Sequence, residues 1–204
     1  MGLTLWIVPD EKETSRLGRI MAVRPEQSVA ASPASYPKFQ PHITLASMPT
    51  EYKDKLDTVE ASIPKSTGPI ECDFTSVDVG SHYFRSVYVT IKLTPELAAL
   101  HEHVHRVLGV QPHTPLFPHM SLVYIDDADA ANGERLKYYE ELKKEGKISY
   151  SEEISGNEMV SLNCGAYGEK EIVSRFVARE IWAVLCHGPV ESWEVLRKFS
   201  LVDP

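Results

Sequence analysis

Leu3, Leu5 and Ile7 alternate with Thr4, Trp6 and Val8, and a period of two predicts a strand with one apolar face. Pro9-Asp10 ends it. From Asp10 to Val23 the period becomes helical, with Leu17, Ile20 and Met21 on one side and Asp10 or Thr14 as N-cap. Residues 24–38 carry three prolines and no period; they predict a loop, long enough to act as a lid. A strand after Pro41 is followed by a predicted helix over Glu51–Ile63, with Thr50 as its cap and Leu56 and Val59 inward. Ile70–Val79 and Tyr83–Leu93 read as strands joined through Gly80-Ser81-His82. Thr94-Pro95-Glu96 opens a helix that Gly109 stops. A Pro-rich loop over 111–118 leads into a strand reaching Ile125, then a helix over Asp126–Gly146 with Leu136 and Leu142 inward. Glu158–Cys164, Arg179–His187 and Trp193–Leu201 complete the predicted strands, and no element is assigned to 165–177. The mixture is α+β with mainly antiparallel pairing.

Two of these strands share a pattern. Pro41-His42-Ile43-Thr44-Leu45 and Pro118-His119-Met120-Ser121-Leu122 each follow a proline with His, an apolar residue, a hydroxyl residue and Leu. Because strand side chains alternate faces, His42 shares a face with Thr44 and His119 with Ser121, while Ile43, Leu45, Met120 and Leu122 turn toward a core. The segments around the two motifs repeat weakly in order, an internal duplication of unequal halves. Pro112-His113-Thr114 is a third Pro-His pair, but Pro115 follows it rather than an alternating strand.

With 204 residues, 43% hydrophobic and 25% charged, the chain can bury a core unaided and predicts one bilobed domain over 1–204. A net charge of −8 opposes tight binding of long nucleic acid but allows a small anionic ligand in a local pocket. No apolar run is long enough to span a bilayer, and residues 1–6 lack the basic flank and cleavage site of a secretory signal. Trp6 stands where a myristoylation pattern needs Ser or Thr. The expected setting is intracellular, cytoplasmic or endomembrane-associated, and the expected state is a monomer. Cys72, Cys164 and Cys186 are odd in number and widely spaced, which favours reduced buried thiols over a disulfide plus one free thiol.

Histidine titrates near neutral pH, so a pair can hold one neutral ring as base and one charged ring as acid. That is what opening a cyclic phosphodiester requires: water loses a proton as it attacks phosphorus, and the departing oxygen gains one. Thr44 and Ser121 can donate to the non-bridging oxygens where charge accumulates. The scheme needs no metal or cofactor, and either histidine can be the base.

The motifs His42-Ile43-Thr44-Leu45 and His119-Met120-Ser121-Leu122 resemble those of the 2H phosphoesterase superfamily. Trp6-Ile7-Val8-Pro9-Asp10, Pro41–Leu45, Tyr83 to Glu96 and Thr114–Tyr124 are similar to the small plant and fungal cyclic phosphodiesterases, a likeness covering most of residues 1–126. The resemblance implies a bilobed, pseudo-twofold fold with flanking helices and the two motifs facing across a central cleft. It implies hydrolysis of ADP-ribose 1″,2″-cyclic phosphate, a by-product of tRNA splicing, to ADP-ribose 1″-phosphate, and of nucleoside 2′,3′-cyclic phosphates to 2′-phosphates. By matched position it makes His42, Thr44, His119 and Ser121 catalytic and Tyr124 and Trp6 candidates for substrate contact. On their own periodicity Trp6 and Tyr124 are equally core residues; Tyr124 comes three positions after Ser121 and needs a bulge or strand end to turn inward.

His101-Glu102-His103-Val104-His105 satisfies the His-Glu-x-x-His zinc pattern on a predicted helix. Against zinc hydrolysis, no third ligand is identifiable, and the apolar face of Leu97, Leu100, Val104 and Leu108 leaves His101 and His105 on the expected solvated edge. A nucleotide-binding protein without chemistry has no need of a matched acid and base. An RNA-end-processing member of the superfamily is disfavoured by the acidic balance and the lack of a basic arm.

Overall fold

The computed structural model describes residues 2–114, 116–152, 158–166 and 169–202. Strand β1 (Leu3–Val8) and helix α1 (Glu11–Met21) form as their periods demand, with the Asp10 carboxylate accepting from the Glu13 amide as N-cap. The chain continues through β2 (Ile43–Met48), the short α2 (Leu56–Ala61), β3 (Ile70–His82) and β4 (Arg85–Ile91). Helix α3 (Pro95–Leu108) is capped by the Thr94 side chain, which accepts from the Leu97 amide, and ends at Gly109 with φ 67°. Then come β5 (His119–Val123), α4 (Asp127–Ala130), α5 (Glu134–Lys144), and strands β6 (Ile148–Glu152), β7 (Glu158–Asn163), β8 (Ile172–Val173), β9 (Arg175–Ala178), β10 (Glu180–Leu185) and β11 (Glu194–Ser200).

Eight strands form one sheet in the order β11-β10-β1-β2-β5-β4-β3-β9, and β6-β7-β8 form a second. Every pairing among the described residues is antiparallel. The large sheet is therefore two four-stranded halves that meet where β2 pairs with β5, through Ile43 opposite Met120. An antiparallel register through that pair sets His42 beside Ser121 and Thr44 beside His119, all on one face. The opposite face carries Leu3, Leu5, Ile7, Ile43, Leu45, Met120 and Leu122, each fully buried. Helix α1 covers it at β5 and α3 covers it at β2. Each such Leu, Ile or Met contributes roughly 1.5–3 kcal/mol of burial, so the apolar positions of both motifs fix which way the polar ones point.

Several expectations change. The 51–63 helix is a 3-10 turn over Thr50–Asp54 followed by α2, and Thr50 makes no cap bond. The β3–β4 hairpin turns at Tyr83-Phe84, with His82 paired to Arg85, rather than at residues 80–82. Gly80 stays inside β3 because a Cβ there would lie 2.0 Å from the Arg85 carbonyl oxygen. The 126–146 helix breaks at Gly133, whose φ is 81°, and the break re-phases α5 so that Leu136 is exposed while Tyr138 and Leu142 are buried. His105 is buried, and Phe117 stacks on His101 at 4.1 Å; neither histidine sits on a solvated edge. Residues 172–178, unassigned from sequence, supply two strands, while 153–157 and 167–168 of the same region lie outside the described residues, as does Pro115. The three cysteines are free and buried. Among the described residues no helix is long and apolar enough to cross a membrane.

The 24–38 loop is tied down by acidic side chains. The Asp129 carboxylate accepts from the Ala31 and Ser32 amides and the Ser35 hydroxyl, and Glu134 accepts from Ser28, Tyr36 and the Val29 amide. The loop then presents the Tyr36 amide to the Tyr124 carbonyl and stacks Phe39 on the Tyr124 ring at 4.0 Å.

Candidate active site

The polar face of the β2–β5 seam opens into a cavity of about 320 Å³. His42, Thr44, His119 and Ser121 all line it, and so do Trp6 and Tyr124. All six residues singled out from the sequence thus meet in one place. Trp6 reaches it because β1 shifts register at Leu5/Trp6 and sets Trp6 opposite Thr44. Its ring lies flat on His42, with centroids 3.7 Å apart and planes 9° apart. Tyr124 reaches it because β5 ends at Val123, the strand end its odd spacing requires. Trp6 and Tyr124 are each 3% exposed, so they are both cavity wall and core.

Each motif histidine is held by its Nδ1. His42 Nδ1 lies 2.6 Å from the Gln40 carbonyl oxygen, and His119 Nδ1 lies 3.2 Å from that of Leu116. A carbonyl only accepts, so Nδ1 carries the proton in both rings, and Nε2 is the nitrogen left for chemistry. Leu116 supplies its carbonyl from the left-handed region, φ 54°, a conformation that costs a non-glycine residue about 1 kcal/mol. A cis bond between Phe117 and Pro118 then leads into β5.

Burial pushes His42 down to about 4, with the carbonyl of Gln40 opposing and the neighbouring His119 adding to the depression. His119 is also pushed down to about 4, first by burial and then by the positive Arg85, against the carbonyl of Leu116. At neutral pH both imidazoles are therefore uncharged, a departure from the one-neutral, one-charged pair expected from sequence. Apolar walls disfavour the second proton until an anion arrives. Ser121 also differs from expectation: its hydroxyl donates to the Phe84 carbonyl at 2.7 Å. It must rotate to donate elsewhere. Thr44 Oγ1 has no hydrogen bond among the described residues.

The remaining walls went unseen in the sequence. Phe84, at the β3–β4 turn, and Trp193, just before β11, line the cavity with Trp6 and Tyr124. Phe84 is edge-on to Tyr124 at 5.3 Å, and Trp193 stands 5.9 Å from Phe84 and 5.8 Å from Trp6. His82, Arg85, His113 and Thr114 also line it, and among the described residues no Asp or Glu does. The cavity is thus locally suited to an anion inside an acidic protein. Cys186 lines it too, but burial lifts its thiol to about 11, so it is protonated and a poor nucleophile.

The zinc alternative finds no support in geometry. Among the described residues no group of three or more His, Cys, Asp or Glu side chains could hold a metal ion.

A curled antiparallel sheet whose two central strands each offer a His-x-Thr/Ser pair to one cavity defines a 2H phosphoesterase. The chain belongs to the cyclic phosphodiesterase-like protein family, whose model matches residues 1–201. It is 27% identical over 124 residues to a cyclic phosphodiesterase of Arabidopsis thaliana, a match covering 60% of this chain and 65% of that protein. E. coli LigT complexed with 3′-AMP superposes with a TM-score of 0.53 at 13% identity, covering 99% of this chain and 98% of that one. A Thermus thermophilus protein, TT0787, superposes with a TM-score of 0.52 at 14% identity, covering 98% of each chain. These two likenesses are likenesses of fold.

Proposed function

We propose that residues 1–204 act as one bilobed unit that opens cyclic phosphodiesters by two-histidine acid/base catalysis without a metal. The substrates are ADP-ribose 1″,2″-cyclic phosphate, hydrolysed to ADP-ribose 1″-phosphate, and nucleoside 2′,3′-cyclic phosphates, hydrolysed to 2′-phosphates. The observation that carries this reading is the pair of imidazoles in one cavity, each with Nδ1 on a backbone carbonyl and Nε2 left free.

In the reaction one Nε2 takes a proton from water as its oxygen bonds to phosphorus. The P–O bond to the 3′ (or 2″) oxygen breaks, and the other imidazolium gives that oxygen its proton. One proton enters the base and one leaves the acid, so solvent exchange resets the pair. Thr44 and the rotated Ser121 hydroxyl donate to the non-bridging oxygens, each an interaction that strengthens as charge builds. Trp6 holds the His42 ring by stacking, and Tyr124, whose phenol burial keeps protonated, walls the sugar side.

Incubation with both substrates in the presence of EDTA tests the reading. Release of the 2′-phosphate and the 1″-phosphate is expected, and loss of turnover on chelation would overturn metal independence.

A further inference from the structure

Pro112-His113-Thr114 reads in the sequence as an echo of the motif without its strand. Its His113 and Thr114 nevertheless line the same cavity. His113 and Thr114 lie on the loop leading into His119, and His82 and Arg85 face each other across the β3–β4 hairpin end. The positive charge of Arg85 is felt by His119, so Arg85 lies on the His119 side of the cavity, while Trp6 stacks on His42.

The chemistry of His82 differs from that of the motif histidines. Its Nδ1 accepts from the Phe84 amide at 3.3 Å. Neutral His82 therefore carries its proton on Nε2, which makes that atom a donor where His42 and His119 offer a lone pair. His82 and His113 are both exposed, so their ring nitrogens can reach a ligand entering from solvent. An arginine, two histidines able to donate, and a threonine hydroxyl, with no carboxylate among the described lining residues, match one ligand chemistry: a phosphate group.

We propose that His82, Arg85, His113 and Thr114 form a second phosphate subsite, which binds the additional phosphate or diphosphate that the substrate's sugar carries besides its cyclic phosphate. The subsite rests on the reading of His42 and His119 as the clamp for the cyclic phosphate. It makes the enzyme selective for doubly anionic substrates over cyclic mononucleotides that lack a second phosphate.

Calorimetric binding to the intact protein tests it with adenosine 2′-phosphate, adenosine 2′,5′-bisphosphate and ADP-ribose 1″-phosphate. The wild type is expected to bind both doubly substituted ligands about tenfold more tightly than the 2′-phosphate, an advantage that His82→Ala/His113→Ala reduces to about twofold or less. A gain for the bisphosphate alone would identify a monophosphate extension as the natural one, and a gain for ADP-ribose 1″-phosphate alone a diphosphate. Equal affinity of the wild type for all three, or an advantage kept in the folded double variant, would overturn the subsite. Turnover is not the readout, so a failure to hydrolyse cyclic phosphates would sink the catalytic reading and leave this comparison standing.

Discussion

With both motif histidines pushed down to about 4, the free protein at pH 7 holds almost no proton to give. The proton has to be stabilised by the substrate. A phosphodiester monoanion about 4 Å from an imidazolium, at an effective dielectric near 20, stabilises it by ~4 kcal/mol, or roughly three pKa units. Bound substrate thus lifts one histidine from about 4 to roughly 7 and leaves the other low, restoring the acid/base pair. Two pH profiles follow, because kcat/KM reports the free protein and kcat the complex. Above about pH 5, kcat/KM should fall close to tenfold per pH unit, whereas kcat should hold until roughly pH 7 before falling. Stopped assays on a 2′,3′-cyclic nucleotide from pH 4 to 9 measure both. NMR titration of the imidazoles with and without a nucleoside 2′-phosphate supplies the assignment. A flat kcat/KM between pH 5 and 9, or free-protein histidines titrating near 6.5, would refute the reasoning.

His42→Ala and His119→Ala should each lower kcat by about 10²–10⁴-fold while leaving product binding within a few-fold, checked by steady-state kinetics and calorimetry. Thr44→Ala and Ser121→Ala should cost about 10- to 1000-fold, and a change below twofold in both would remove the hydroxyls from the mechanism. The folded pKa of His42 lies below its unfolded value near 6.5, so the unfolded chain binds more protons as pH falls through that window. Stability should accordingly drop by about 2 kcal/mol more between pH 7 and 5 in the wild type than in His42→Phe, measured by urea unfolding at both pH values. Asp129→Ala should speed hydrogen exchange at the Ala31 and Ser32 amides and lower Tm; unchanged protection would mean that the 24–38 loop is held by something else.

The candidate site is legible in the sequence where its chemistry is local. A strand presents His42 with Thr44 and His119 with Ser121 by alternation alone, and the apolar Ile43, Leu45, Met120 and Leu122 between them fix the orientation. Phe84, Arg85 and Trp193 are not legible because a hairpin turn and a strand distant in sequence deliver them, and turn position is a matter of register. The run Tyr83-Phe84-Arg85 at a strand junction is the available signal. His101 and His105 show the opposite failure. A helical wheel places them beside the apolar stripe, but whether a loop covers that edge depends on the path of residues 111–118. Leu136 points inward only if one period runs through Gly133, where the helix instead restarts with a new phase. Histidine burial is the remaining hidden quantity, since residue type gives the ordinary pKa and only packing gives the depression.

In the proposed mechanism two histidines with free Nε2 atoms open a cyclic phosphate in this cavity. The most direct test is product identification by phosphorus NMR after incubation of wild type, His42→Ala and His119→Ala with ADP-ribose 1″,2″-cyclic phosphate and a 2′,3′-cyclic nucleotide in EDTA. The 1″-phosphate and the 2′-phosphate are expected from wild type alone; the cyclic substrates left intact by wild type, or opened equally by either variant, would contradict it.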